Sequence, residues 1–300
     1  MKLLEKIFAP RQIKALERMV AAIKSFSASG NVGITRTIAL IVIVAEMLGV
    51  ALLDTPQTAR GQELDLSGYN LVFEDEFEGD SLDTSKWEYR SSGSRRGGFI
   101  SPSQVWIEDG NLIIRGEYLE QGEYGEGWYS GMIRTIDEYI GGYFEVKCIC
   151  SKGGGFWSAF WLNSTGMASA ELSNGGLGGA EIDIFEAPNY KNTFGKDSVA
   201  LNVHVGGYGD GLQSAGLGSY YGKNIYAEYN TYGFEWTEEE YIFYINGVEA
   251  DRNSFKDGVS QVGEYIILSL CPPNEFSEEP GFATDFIIDY VRVYQKGVIG

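Results

Sequence analysis

The sequence predicts an all-β fold, an antiparallel sandwich or barrel of ten or more strands that fills residues 67–296 as one domain. Three observations carry this. Glycine is abundant, 40 of 300 residues against only 7 prolines, and 14% of residues are aromatic; that combination suits strands joined by tight turns. From Tyr69 onward long helical periodicity disappears, and short apolar runs alternate with turn residues. Asp109-Gly110 is a hairpin signal, and Asn246-Gly247 reads as a type I′ turn.

The strands follow in order. LVFEDEF (71–77) is the first. QVWIE (104–108) and LIIRGEY (112–118) flank the Asp109-Gly110 turn. YFEVKCIC (143–150), FWSAFWL (156–162), AEIDIFE (180–186), VALNVHV (199–205) and YGFEW (232–236) come next. YIFYI (241–245) and VEA (248–250) flank the Asn246-Gly247 turn. YIILSL (265–270) and FIIDYVRVY (286–294) close the series. No glycine period of three exists, which excludes collagen, and 44% hydrophobic residues exclude a disordered chain.

Charge excludes another class. The net charge is −19, yet residues 1–36 hold seven Lys and Arg against two Glu, so the remainder carries about −24. Such a surface repels phosphate backbones and disfavours a nucleic-acid partner. In the basic leader 1–36, Ile13, Leu16, Val20 and Ile23 recur at helical spacing with Arg11, Lys14 and Arg18 elsewhere on the wheel, an amphipathic basic helix. Residues 37–53 form an apolar run of 17 interrupted by Glu46, short of the ~20 that span a bilayer. Basic before apolar reads as an export signal or a membrane anchor, with a buried soluble helix as the third option. Either of the first two places the domain outside the cell, secreted or anchored to the outer face of the membrane. Residues 54–66 read as a polar linker and 297–300 as a tail. Three cysteines make no disulfide framework. Cys148 and Cys150 share a strand face with Phe144 and Val146 and read as core.

The chemistry concentrates in Ala180-Glu181-Ile182-Asp183-Ile184-Phe185-Glu186. Side chains alternate along a strand, so Glu181 and Asp183 share one face and Ile182 and Ile184 the other. Strict alternation would bury Glu186 in the apolar layer at high cost. One extra residue, a β-bulge near Ile184-Phe185, returns Glu186 to the acidic face. Acids are poor strand formers and like charges side by side repel, so three in a row call for a function. The outer Cα atoms lie ~13 Å apart at four strand steps, and inward-leaning glutamates bring the carboxyls to roughly 5–6 Å, the spacing of a retaining glycosidase. The middle Asp can hydrogen-bond an outer Glu, keeping one carboxyl ionised and the other protonated. A Ca²⁺ site and a solvated acidic strand are the alternatives at this point.

E-I-D-I-F-E resembles the E-x-D-x-x-E signature of glycoside hydrolase family 16, the form shared by laminarinase-like β-glucanases, agarases and carrageenases. FEDEF (73–77), IEDGNLII (107–114), GGYFEVK (141–147), FWSAFWL, NVHVGGYGDG (202–211), YNTYGFEWTEEEYIFYINGVE (229–249) and IDYVRVY (288–294) resemble family segments in family order. The resemblance implies a jelly-roll sandwich with a cleft across its concave sheet. It implies Glu181 as nucleophile, Glu186 as general acid/base and Asp183 as the residue that orients and tunes the nucleophile. It puts Trp157, Trp161, His204, Arg134 and Asn202 near the bound sugar, and it implies no cofactor for catalysis. A structural Ca²⁺ remote from the acids would be held by Gly110, Asp289 and an acid near Glu76. Three features depart from the laminarinase pattern: Ser130-Gly131-Met132-Ile133-Arg134 stands in place of Ser-Gly-Arg, Val205 replaces a frequent aromatic, and FISPSQVW occupies the place of Asn-Glu-Leu-Gln.

The expectation is a monomeric, retaining, endo-acting hydrolase of β-1,3 or mixed β-1,3/1,4-glucan. A β-galactan hydrolase or a transglycosylase would use the same acids, and a catalytically inactive carbohydrate-binding lectin is the reading from another class.

Overall fold

The computed structural model describes residues 56–187, 197–255, 257–276 and 279–297. The basic leader and the apolar run 37–53 lie outside the described residues. Among the described residues no helix is long and apolar enough to cross a membrane.

The chain forms β1 (Tyr69–Asp75), β2 (Trp87–Tyr89), β3 (Gly93–Arg95), β4 (Gly98–Ile100), β5 (Val105–Glu108), β6 (Asn111–Gly122), β7 (Gly125–Ser130), β8 (Met132–Thr135) and β9 (Gly142–Ile149). It continues with β10 (Trp157–Asn163), β11 (Glu181–Ala187), β12 (Ser198–Val205), β13 (Gln213–Tyr221), β14 (Asn230–Trp236), β15 (Tyr241–Ile245), β16 (Val248–Asn253), β17 (Tyr265–Cys271) and β18 (Ala283–Lys296). Every strand expected from the sequence is present. Both hairpin turns form, with Asp109, Gly110, Asn246 and Gly247 all in the left-handed region. The strands the sequence did not announce, β2 to β4, β7, β8 and β13, are short or, like QSAGLGSYY in β13, lack two-residue alternation.

Two sheets result. Seven strands run β13-β12-β11-β10-β17-β8-β2. Eleven belong to the other sheet, along β16-β15-β14-β9-β18-β6-β7-β4-β3 with β1 and β5 attached. Between them lies one apolar layer. Phe144, Val146 and Cys148 from β9, with Phe234 and Phe243, meet Phe160, Leu162, Ile182, Val203 and Leu268 from the seven-stranded sheet. Cys148, Cys150 and Cys271 are buried free thiols.

Residues 56–66 correct the linker reading. Gln57 bridges to Tyr220 on β13 and Glu63 to Val248 on β16, the edge strands of the two sheets. The backbone pairs Gln57 with Ser219 and Tyr221, and Gln62 with Glu249. Leu64 and Leu66 pack on the Tyr143, Ile242 and Tyr244 cluster. The segment thus occupies edge donors and acceptors that would otherwise face water or another chain.

Inside the layer sits one acid outside the signature. Glu264, fully buried, accepts a hydrogen bond from Ala180 N–H at 2.9 Å, directly before β11. Burial pushes its pKa up to about 8 despite that bond. A raised folded-state pKa means stability is lost as pH rises from the unfolded value toward 8. Glu264→Gln is expected to keep the Ala180 bond and flatten this loss; thermal melts of both proteins between pH 5 and 8 measure the difference in slope. At the centre of the layer, the Phe185 ring lies 4.1 Å from that of Tyr232. Phe185→Ala is expected to cost about 3–5 kcal/mol, read from urea unfolding.

Candidate active site

The bulge forms where the sequence requires it. On β10, Phe160 faces Phe185 and Trp161 faces Asp183, so Ile184 is the unpaired extra residue. Ile182, Ile184 and Phe185 all enter the apolar layer, and Glu186 returns to the face of Glu181 and Asp183. Its register partners, Ala159 on β10 and Ala200 on β12, lie on that outer face. On β12, His204 stands opposite Glu181 and Asn202 opposite Asp183.

Each acid has its own surroundings. Glu181 is half-buried, and its Oε2 accepts from Asn163 Nδ2 at 3.0 Å and from the Tyr208 hydroxyl. Asp183 is buried at 5% exposure, with His204 Nε2 3.1 Å from its Oδ2. Its hydrogen-bond partner is therefore His204 rather than an outer glutamate. Burial raises the Asp183 pKa, His204 opposes the rise and the Glu181 charge adds to it. His204 in turn donates or accepts at Nδ1 with Ser214 Oγ at 2.6 Å. Burial alone would lower the imidazole, but the Asp183 bond and the surrounding carboxylates outweigh it, and its pKa is raised. Glu186 accepts from Asn202 Nδ2 at 2.9 Å. Burial, followed by the Asp183 charge, pushes its pKa up to about 7. The strand thus carries a half-buried acid with its pKa raised to about 7, five positions from a glutamate met by two donors.

All the expected sugar-side residues lie on this outer face. Trp157 is half-buried, with the Arg96 guanidinium 4.2 Å from its ring centre. Trp161 is 8% exposed and donates through Nε1 to Ser269 Oγ at 3.1 Å; Arg90 lies 5.6 Å over its ring. Asn202 and His204 bind the acids directly. Arg134 shares the face but is three strands from β11, about 14 Å at normal strand spacing. There it pairs with Glu88 and lies 4.5 Å over the Tyr265 ring. Trp236 packs in the core.

Three residues escaped the sequence reading: Asn163, Tyr208 and Arg90. Asn163 was legible, because alternation from Trp157, Ala159 and Trp161 continues to it. Tyr208 sits in a turn after β12, where no periodicity assigns direction. Arg90 follows β2, a three-residue strand with no apolar pattern of its own.

The metal expectations fare differently. Glu76 is held by Arg292 through two hydrogen bonds of 2.8 and 2.9 Å. Asp289 pairs with Lys147 at 2.5 Å. Both carboxylates are thus paired with side-chain cations in this structure, and Gly110 lies at the tip of the β5–β6 hairpin. Ligating atoms of Glu181, Asp183 and His204 lie within 4.8 Å of one another. In this arrangement His204 Nε2 is spent on Asp183 and Glu181 Oε2 on two donors, so the group is a hydrogen-bonded set.

Comparison with known proteins shows what the chain resembles. The family model described as "Beta-porphyranase A-D, GH16 domain" matches residues 70–266. A glucan endo-1,3-beta-glucosidase A1 of Niallia circulans is 24% identical over 77% of this chain and 38% of its own length. A beta-glucanase of Acetivibrio thermocellus is 28% identical over 73% of this chain and 61% of its own. The chain thus spans less than two thirds of either relative. A non-specific endo-beta-1,3(4)-glucanase of solved structure superposes with a TM-score of 0.63 at 23% identity, covering 81% of this chain and 97% of that one. The laminarinase catalytic domain of Thermotoga petrophila RKU-1 gives 0.60 at 21% identity, covering 77% and 99%. These structures share the sandwich. With the family match over most of the described domain and its three acids in one row, the chain belongs to glycoside hydrolase family 16.

Proposed function

We propose that the domain is a retaining, endo-acting glycoside hydrolase of β-1,3 or mixed β-1,3/1,4-glucan. The observation that carries the chemistry is the bulged strand, which turns Glu181 and Glu186 to one face in different surroundings: Glu181 is met by two donors, and Glu186 has its pKa pushed up to about 7. In the first step a Glu181 oxygen bonds to the anomeric carbon while the bond to the leaving oxygen breaks and Glu186 gives that oxygen its proton. In the second, water bonds to the same carbon and passes a proton to Glu186. The bond to Glu181 breaks as the bond to water forms, and its electron pair returns to the carboxylate. Asp183, held by His204, lies between the two, and its charge adds to the burial that raises the Glu186 pKa. A neutral glucan is compatible with the acidity of the domain, and the relatives and neighbours described above are glucanases.

A second reading is favoured by one observation. Arg90, Arg96 and Arg134 lie over Trp161, Trp157 and Tyr265 on the cleft face, a local cationic lining that suits a charged β-galactan. The apolar run 37–53 supports placement of the domain outside the cell, secreted or membrane-anchored, and a monomer suffices for the site.

Glu181→Gln is expected to lower turnover by at least ~10³-fold and to spare oligosaccharide binding; unchanged turnover removes Glu181 as nucleophile. The first-formed product should keep its anomeric configuration by NMR, and inversion excludes double displacement. Because Glu186 must be protonated, kcat/KM should fall as pH rises through about 7. Laminarin, barley glucan, agarose, carrageenan and xyloglucan, with product sizing, separate the two readings: short oligomers from a galactan alone select the second.

A further inference from the structure

The turn after β12 carries a side chain that the acids alone do not explain. Gly206 and Gly207 adopt φ of 87° and 75° and deliver Tyr208 over the start of β11. The turn is pinned: Gly206 N–H donates to Ser173 Oγ at 2.9 Å, and a Cβ on Gly207 would lie 2.7 Å from the Ser169 backbone. Tyr208 is 56% exposed, yet its hydroxyl donates to Glu181 Oε2 and accepts from Asn163 Nδ2 at 2.5 Å. Asn163 Nδ2 also donates to the same Oε2. The Tyr265 hydroxyl stands 3.5 Å from Asn163 Oδ1 and orients the amide with its NH₂ toward Glu181. Both donors converge on one oxygen of the carboxylate, leaving Oε1 to the substrate side.

We propose that Tyr208, together with Asn163, is a positioning residue that clamps Glu181 by Oε2 so that Oε1 attacks the anomeric carbon. The inference rests on the reading of Glu181 as nucleophile. Charge-assisted hydrogen bonds are about twice as strong as neutral ones. In the first step the clamp holds Oε1 in line with the carbon and saves reorientation. In the glycosyl-enzyme Oε2 is the ester carbonyl, and a phenol donating to it draws charge from the C–O bond that water must break. The donor keeps its proton because desolvation of the hydroxyl end of this otherwise exposed ring, reinforced by the Glu181 charge, raises the Tyr208 pKa. Other charged groups also bear on the carboxylate and Tyr208: Asp183 from β11, His204 from β12 and Glu264 before β17 act on Glu181, and Arg90 after β2 acts on Tyr208. None of these supplies a hydrogen bond to Oε2 among the described residues, so loss of the phenol is not compensated.

Tyr208→Phe keeps the ring and removes the donor. Kcat on the best polysaccharide is expected to fall about ten- to a hundredfold, KM to change less than about twofold, and the acid limb of the pH profile to move to higher pH. A preserved kcat with a raised KM makes Tyr208 a sugar contact and overturns the proposal. A second measurement needs no substrate: the ¹³C carboxyl resonance of Glu181, assigned by its loss in Glu181→Gln, should move in Tyr208→Phe at constant pH. A resonance that stays in place overturns the clamp. If the wild-type domain cleaves none of the polysaccharides, the hydrolase reading fails, and the resonance by itself still decides whether Tyr208 holds Glu181.

Discussion

A β-strand shows its side chains alternately to two faces, and that period of two cannot be broken gradually. In β11 it breaks once, at Ile184, and the site depends on that break. Without the extra residue, Glu186 would enter the layer now filled by Ile182, Ile184 and Phe185, where an uncompensated carboxylate is expensive. Phe185 would then face solvent beside Asp183. The bulge resolves both conflicts, because the apolar layer gains an aromatic ring against Tyr232 and the outer face gains its third acid. Core packing and active-site assembly are therefore one event. The hydrophobic demand of two consecutive large residues sets the position from which Glu186 acts.

Once three acids share a face, their differences come from neighbours rather than from the strand. Glu181 lies at the more open end and is met by Asn163 and Tyr208. Asp183 is buried and paired with His204. Glu186 is half-buried between alanines, with Asn202 as its donor. Burial pushes Asp183 and Glu186 toward the neutral form, and their mutual repulsion discourages double ionisation. Such coupling is how two chemically identical groups take up donor and acceptor roles at one pH. The long apolar layer beneath supports it by fixing the backbone, and Glu264 extends the same economy of buried carboxyls to the entry of β11.

The edges of the sandwich receive similar care. The segment 56–66 lies along β13 and β16, so a stretch that is polar by composition contributes backbone pairing where each sheet would otherwise end. Arginines are distributed against the overall acidity of the domain: Arg90, Arg96 and Arg134 cover aromatic faces on the cleft side, and Arg115, Arg252 and Arg292 pair with acids elsewhere. The cleft face thus sets three arginines near the three acids of β11, a placement that cannot be summed from composition.

Residues near in sequence were legible because their relations are local. The strand period, the two hairpin turns, the need for a bulge, and the shared face of Trp157, Ala159 and Trp161 all follow from φ/ψ sterics and the cost of burying charge. Applied one residue further, the same rule would have reached Asn163. The linker reading of 54–66 did not foresee the pairing of 56–66, because edge pairing uses backbone groups, which any polar sequence can offer. Tyr208 and Arg90 stayed hidden because a turn has no period, and a guanidinium over a ring depends on which strands become neighbours. The partner of Asp183 was likewise decided only when β12 paired with β11 in a register that sets His204 beside it. The sequence by itself determined which residues are acidic, which face they need and where the backbone must yield. Tertiary structure alone decided which of those acids keeps its proton, because desolvation and neighbouring charge belong to the assembled sheets and not to any one strand.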